Sequence, residues 1–529
     1  MRYLKARSLI AFLCVTMCFA AEASAQIKPS ALFSDHMVLQ SDMPVPIWGT
    51  AEPAEKITIK FNGQTKSATA DASGKWMVRL TKLKAGGPFE MTIAGNTAGE
   101  TPIVVKDVLV GEVWLGSGQS NMDFTVATTT RHYFAGVKNE AEEIAAANYP
   151  QIRMFTGAWK NSYDPQTEIS GAWLIVTPET VKEMSAIGYL FARDMQKELK
   201  VPFGIITEAF GASTAEAWTS REALAADPKL KPLIDTFDAK VAAYKTNPPD
   251  MTAAMKAWQE AAAKAQAAGQ RQPRRPSTGD PIGDQHNPTV MYNGMIAPVI
   301  PYAIKGVLWY QGEAINGGAT GYKLYPLLQS TLVKDWRQRW GEGNFPFYIC
   351  QLAPLKPWPN RPDTWYNNPD VREAQATVLS LPNTGMAVTI DIGDPVNIHP
   401  KDKQDVADRL TRIALANTYD RKIEYSGPMY DSMKVEGDAI RIKLTHVDAG
   451  LVAKGGELKT FTIAGKDGKF VPATARIDHS TLVVSSPDVA EPVAVRYACD
   501  NYPEGANFFN SDGLPAPPFR TDNWEHEPQ

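Results

Sequence analysis

An apolar run that ends abruptly in a small-residue turn constrains this chain more than any other stretch. Val108, Leu109, Val110, Val113, Trp114 and Leu115 form a run too short for a free-standing helix, and they read as a buried strand. The run passes directly into Gly116, Ser117, Gly118, Gln119 and Ser120. A serine on a tight glycine turn at the end of a central strand is held clear of the sheet. Its own amide and a neighbouring loop amide can then face a developing oxyanion. Ser120 is therefore the candidate nucleophile.

The rest of the chain sets the frame for that turn. At 529 residues it is too long for one ordinary core, so two or more domains are expected. The formal charge of −4 gives no basic excess, which argues against nucleic acid as a partner. Arg2, Lys5 and Arg7, an apolar core over 8–20 and Ala23-Ser24-Ala25 read as a signal peptide over 1–25, with Gln26 as the mature start. The apolar core is shorter than the roughly 20 residues a spanning helix needs. A periplasmic or secreted protein with no membrane partner after cleavage is expected. Cys14 and Cys18 leave with the leader, and Cys350 and Cys499 stay. In an oxidising compartment these two can pair, or they can remain buried thiols. No Cys/His cluster has zinc spacing, so no metal and no cofactor is expected.

Residues 26–106 read as a small all-β domain. Lys56–Phe61 and Lys75–Leu80 alternate polar and apolar residues, the period of a half-buried strand, and Asn62-Gly63 marks a tight turn. Residues 107–425 alternate strands and helices, which points to an α/β domain with a mainly parallel sheet. In it, 186–199 carries Ile187, Leu190, Phe191 and Met195 at helical spacing, and the strand over 201–206 leads to Gly211. Residues 222–280 read as a helical insertion broken at Asn247-Pro248-Pro249. Its Arg271, Arg274 and Arg275 form a solvated run that an acidic sugar can meet. The strand over 305–310 ends at Gln311-Gly312-Glu313, which puts them at the carboxyl end of a sheet strand, where open α/β sheets place ligands. The strand over 386–390 enters a carboxylate-rich loop from Asp391 to Pro400 that holds His399. Residues 426–529 return to β character.

Several blocks carry a resemblance. Gly118-Gln119-Ser120-Asn121-Met122 resembles the nucleophile block of the sialate O-acetylesterase family, part of the SGNH-type carbohydrate esterases. Tyr292-Asn293-Gly294-Met295-Ile296-Ala297-Pro298, Trp309-Tyr310-Gln311-Gly312-Glu313-Ala314 and Ile398-His399-Pro400 resemble further family segments, in family order. The resemblance covers most of the mature chain outside 222–280. It implies an SGNH-hydrolase-like three-layer α/β domain with a mainly parallel sheet, alongside β-sandwich-like N-terminal and C-terminal β regions. It implies a carbohydrate O-acetylesterase with O-acetylated sialic acid as the nearest substrate, and acetylated xylan or another plant glycan as the alternative. By resemblance, Ser120 is the nucleophile and His399 the general base. The Ser120 amide, Gly211 and Gln311 hold the oxyanion, and Glu313 and Asn121 contact substrate.

One departure stands out. The wider group often carries Asp three residues before the catalytic His, and Val396 fills that place here. The group that orients His399 is then Asp394, Asp391 or a main-chain carbonyl, and Asp394 is taken as the third catalytic residue. Of the other histidines, His286 is the runner-up for the base. Two rival classes are a non-catalytic glycan-binding protein and a glycoside hydrolase using Glu313 and Asp394 as paired carboxylates. The second leaves the Ser120 block unexplained.

Overall fold

The computed structural model describes residues 26–359 and 368–524, apart from 98, 131, 271, 274, 277 and 316–320. The leader expected over 1–25 lies outside the described residues, as do Arg271 and Arg274.

The central sheet runs Trp173–Val176, Tyr149–Thr156, Phe203–Ala209, Ile103–Gly118, Gly306–Tyr310, Phe347–Cys350 and Thr384–Ala387, in that spatial order. Trp173–Val176 is antiparallel to its neighbour, and every other pair along this path is parallel. Successive side chains of a strand point to opposite faces, and both faces here are covered. Trp114, Ile205, Leu308 and Tyr310 therefore pack with the helices Ala186–Leu199 and Lys403–Asn417. Val113, Leu115, Ile206, Val307 and Trp309 pack on the other side, with Gly321–Trp340 and Asn368–Ala376. Continuous apolar runs, rather than alternating ones, are the sequence mark of such two-sided burial.

Ile103–Gly118, 16 residues long, joins two parts of the molecule. Its first half pairs antiparallel with Gly86–Ala94 and parallel with Val38–Gln40, and its second half pairs with Phe203–Ala209 and Gly306–Tyr310. A boundary drawn at 106/107 falls inside this continuous strand. The insertion forms three helices, Arg221–Ala226, Lys231–Thr246 and Thr252–Ala267, with Asn247-Pro248-Pro249 between the last two.

The strand expected over 386–390 is instead Thr384–Ala387. The cause is Arg409, whose guanidinium takes the Val388 carbonyl and both Asp391 oxygens, so this stretch bonds to a side chain. Residues 429–520 form two four-stranded sheets and a two-stranded pair around Phe461, Tyr497, Phe508 and Phe519. Cys350 and Cys499 each remain a thiol. Among the described residues, no helix is long and apolar enough to cross a membrane.

Candidate active site

The turn after Ile103–Gly118 is dictated by one close approach. Gly118 has φ +131°, and a Cβ there would meet the Tyr310 carbonyl oxygen at 2.1 Å, so only glycine fits. Gln119 N–H donates to that same Tyr310 carbonyl at 2.9 Å. Gln119 Oε1 accepts from the amides of Gly312 at 3.2 Å and Ala314 at 3.4 Å. Gln119 thus fastens the Ser120 turn to the loop that carries Gln311.

His399 Nε2 stands 2.8 Å from Ser120 Oγ, across 279 positions of chain. Its imidazole stacks on Phe134, with ring centroids 4.3 Å apart. Burial, followed by the charge of Lys403, pushes the His399 pKa down to about 4. At neutral pH the ring is therefore unprotonated, the state a general base needs.

Gly211 lies against the nucleophile, since a Cβ built on it would sit 3.8 Å from Ser120 Cβ. The loop is pinned by Phe210 N–H donating to Gly118 O at 3.1 Å and by Ser213 Oγ donating to Phe210 O at 2.7 Å. Gln311 is fully buried. Its Oε1 accepts from Tyr325 Oη at 2.8 Å, which fixes the amide orientation, and its Nε2 donates to Ser213 O at 3.3 Å. Among the described residues, that leaves the second N–H of Gln311 uncommitted.

Three sequence expectations take a different form. Asp394 Oδ1 accepts from the amides of Val396 and Asn397, each at 2.9 Å, and Asn397 Oδ1 accepts from His399 N–H at 2.9 Å. Among the described residues, Asp394 makes no hydrogen bond to the His399 ring; it caps the loop that carries His399. Asn121, expected to contact substrate, is fully buried. Its Nδ2 donates to Glu313 Oε1 and to Ile398 O, and its Oδ1 accepts from Lys403 Nζ, so both polar atoms of its side chain are engaged within the protein. Glu313 turns its Oε1 to Asn121, and its Oε2 is buried without a hydrogen-bond partner among the described residues. Burial pushes its pKa up. Asp391 belongs to Arg409. His286 pairs with Asp284 at 2.6 Å.

Sequence reasoning missed the surroundings of the pair. Tyr133 and Trp159 are 62% and 41% exposed, large values for aromatic rings. Trp159 packs 5.1 Å from Phe210, the residue before Gly211, and 5.9 Å from His132, two residues before Phe134. His132 is buried with Nε2 at 3.0 Å from Asp123. These rings sit in loops without periodicity, so no pattern in the sequence marks them. A cavity of about 410 Å³ lined by Trp48, Trp76 and Glu168 contains neither Ser120 nor His399.

The family described as SASA, carbohydrate esterase, sialic acid-specific acetylesterase, matches residues 277–414. The sialate O-acetylesterase of Mus musculus is 30% identical over 537 residues, 93% of each chain. That of Homo sapiens is 28% identical, over 97% of this chain and 96% of its own. The crystal structure of a carbohydrate acetylesterase from Xanthomonas citri is 34% identical with a TM-score of 0.77, covering 94% of this chain and 100% of that one. The mixed sheet between two layers of helices fits an SGNH-like α/β fold. Similarity of this extent, over more than nine-tenths of the chain, makes it a carbohydrate O-acetylesterase, a carboxylic ester hydrolase that belongs to the sialate O-acetylesterase family.

Proposed function

We propose that the ester is cleaved by Ser120 and His399 through an acyl-enzyme. The 2.8 Å contact between His399 Nε2 and Ser120 Oγ carries this reading. His399 takes the hydroxyl proton as Ser120 Oγ attacks the acetyl carbonyl. The oxyanion is received by the amides of Ser120 and Gly211, neither of which donates to a main-chain carbonyl among the described residues, and by the remaining N–H of Gln311. His399 then returns the proton to the leaving sugar oxygen and activates the water that releases acetate. Asp394 serves through the loop rather than through the ring. No step calls on a cofactor.

The substrate we propose is an O-acetylated sugar whose apolar face lies on the rim of Tyr133, Trp159 and Phe210, since aromatic rings offer a flat apolar surface with a polar edge. O-acetylated sialic acid is the first candidate, because the relatives are named for it. We also propose that 1–25 directs export, that the N-terminal β region is sandwich-like, and that 26–106 supports the catalytic domain. Acetate release from a panel of acetylated sialic acids and acetylated xylan tests the substrate. Ser120→Ala tests the mechanism: turnover should fall at least ~10³-fold with the fold intact, and near wild-type turnover would discard Ser120.

A further inference from the structure

Lys403 is a cation in a place that disfavours one. It is the first residue of the helix Lys403–Asn417 and only 1% exposed. Burial of an ammonium is costly unless it is well bonded, and the start of a helix repels positive charge. Its Nζ lies 4.3 Å from the ring centroid of Phe124. It donates to Asn121 Oδ1 at 2.8 Å and to the Pro400 carbonyl at 2.6 Å. Asn121 in turn donates to the Ile398 carbonyl at 3.1 Å and to Glu313 Oε1. Ile398 and Pro400 flank His399, and Asn121 follows Ser120. The carbonyls on both sides of the base are therefore held by two side chains bonded to each other, one of them next to the nucleophile. A closed circuit runs Ser120, Asn121, Ile398, His399 and back through the 2.8 Å contact to Ser120.

We propose that Lys403 is a positioning residue of the esterase: acting through Asn121, Ile398 and Pro400, it holds the His399 ring at hydrogen-bonding distance from Ser120 Oγ. The proposal rests on the Ser120–His399 reading above. A fold-stabilising ion pair is the plainer role for a buried lysine, but Lys403 forms no direct salt bridge with Glu313 among the described residues. The Asn121 amide joins them.

The charge of Lys403 has a second effect on the same ring. Burial lowers the His399 pKa, and Lys403 lowers it further. Lys403 is itself pushed down to about 7 by burial, against the opposing pull of Glu313, Cys350 and Asp402. Those groups face it from the loop after Gly306–Tyr310, from the end of Phe347–Cys350 and from the helix N-cap, with the Tyr310 ring at 5.8 Å. Lys403 is the charged group that bears on His399. Below pH 7 it is an ammonium and opposes protonation of the imidazole, so its removal raises the His399 pKa.

The test compares Lys403→Met and Lys403→Arg with wild type on 4-nitrophenyl acetate, which needs no sugar recognition, across pH 3.5 to 8. Lys403→Met should lower kcat ~10-fold or more, keep KM within about twofold, and move the acid limb of kcat/KM up by at least ~0.5 pH unit. Lys403→Arg, which keeps the charge, should hold the acid limb at the wild-type position. Wild-type kcat in Lys403→Met, or a lower kcat with an unmoved acid limb, overturns the proposal. If Lys403→Met does not fold, Asn121→Ala keeps the ammonium and cuts the tie. It should lose ~10-fold in kcat without moving the acid limb, and wild-type kcat in it overturns the proposal. Ser120→Ala assayed alongside separates the two levels: if it stays active the underlying mechanism fails, whereas an inactive Ser120→Ala beside a fully active Lys403→Met removes Lys403 alone.

Discussion

The imidazole of His399 lies on the ring of Phe134, with planes 29° apart and centroids 4.3 Å apart, while its Nε2 reaches Ser120 Oγ at 2.8 Å. Among the described residues, no acceptor is hydrogen-bonded to its Nδ1. The ring is thus held by stacking on Phe134, by its contact with Ser120 and by the backbone of its loop. The same burial that supplies the stack also disfavours the imidazolium.

That environment fixes the expected pH dependence. A base works only when neutral, so activity is lost as pH falls through the His399 pKa, which is lowered to about 4. The acid limb of kcat/KM should lie near that value, well below the ~6.5 of an unperturbed histidine. A kcat/KM profile from pH 3 to 8 checks this, and an acid limb at 6 to 7 would remove either the burial or the histidine from the account.

Asp394 offers a sharper test, because its two candidate roles predict opposite results. As a loop cap it needs only an oxygen to accept from the amides of Val396 and Asn397, which an asparagine also provides. Asp394→Asn should keep kcat within ~3-fold, and Asp394→Ala should lower both kcat and the melting temperature, since a lost cap costs ~1 kcal/mol. A carboxylate acting on the ring would instead make Asp394→Asn fall by ~10⁴. Kinetics and melts on the two variants decide it.

How much of this was legible follows from where each signal lives. The central strand and the Ser120 turn were legible because apolar runs and glycine turns are local patterns. The substrate contact expected of Asn121 came from the resemblance, and nothing local marks the residue as buried. Its burial depends on Lys403 and Ile398, more than 270 positions away. Nothing local marks Lys403, a charged residue in a first helical turn. Only tertiary packing turns it inward.

Trp159 separates sugar binding from chemistry. It is 41% exposed, and its Nε1 donates to the Ala209 carbonyl at 3.0 Å, which orients the ring beside Phe210. Trp159→Ala should raise KM for an acetylated sugar ~10-fold, the order of 1.4 kcal/mol for one lost stacking surface. The rate on 4-nitrophenyl acetate should stay within about twofold. Equal losses on both substrates would show that Trp159 supports the Gly211 loop instead.

Glu208 carries the last prediction, and it concerns stability rather than turnover. It lies on Phe203–Ala209, in register with Ser117 of the central strand. It is fully buried, and neither carboxyl oxygen has a hydrogen-bond partner among the described residues. Room for it comes from Gly157, where a Cβ would sit 1.9 Å from Oε1. Burial first, and the charge of Asp123 second, push its pKa well above the ordinary 4.5. The folded state therefore keeps a proton that the unfolded chain releases. For a carboxyl shifted upward, the contribution to stability is full below the unfolded pKa and is lost as pH rises through the folded one. Each unit between the two values is worth about 1.4 kcal/mol. Glu208→Gln keeps the shape and removes the titration, so its melting temperature should gain on wild type as pH rises from 5 to 8. Melts of both proteins across that range isolate the group, because every other carboxylate is common to the pair. Parallel curves would mean that Glu208 titrates alike in the folded and unfolded chain, and that its burial is relieved in some other way.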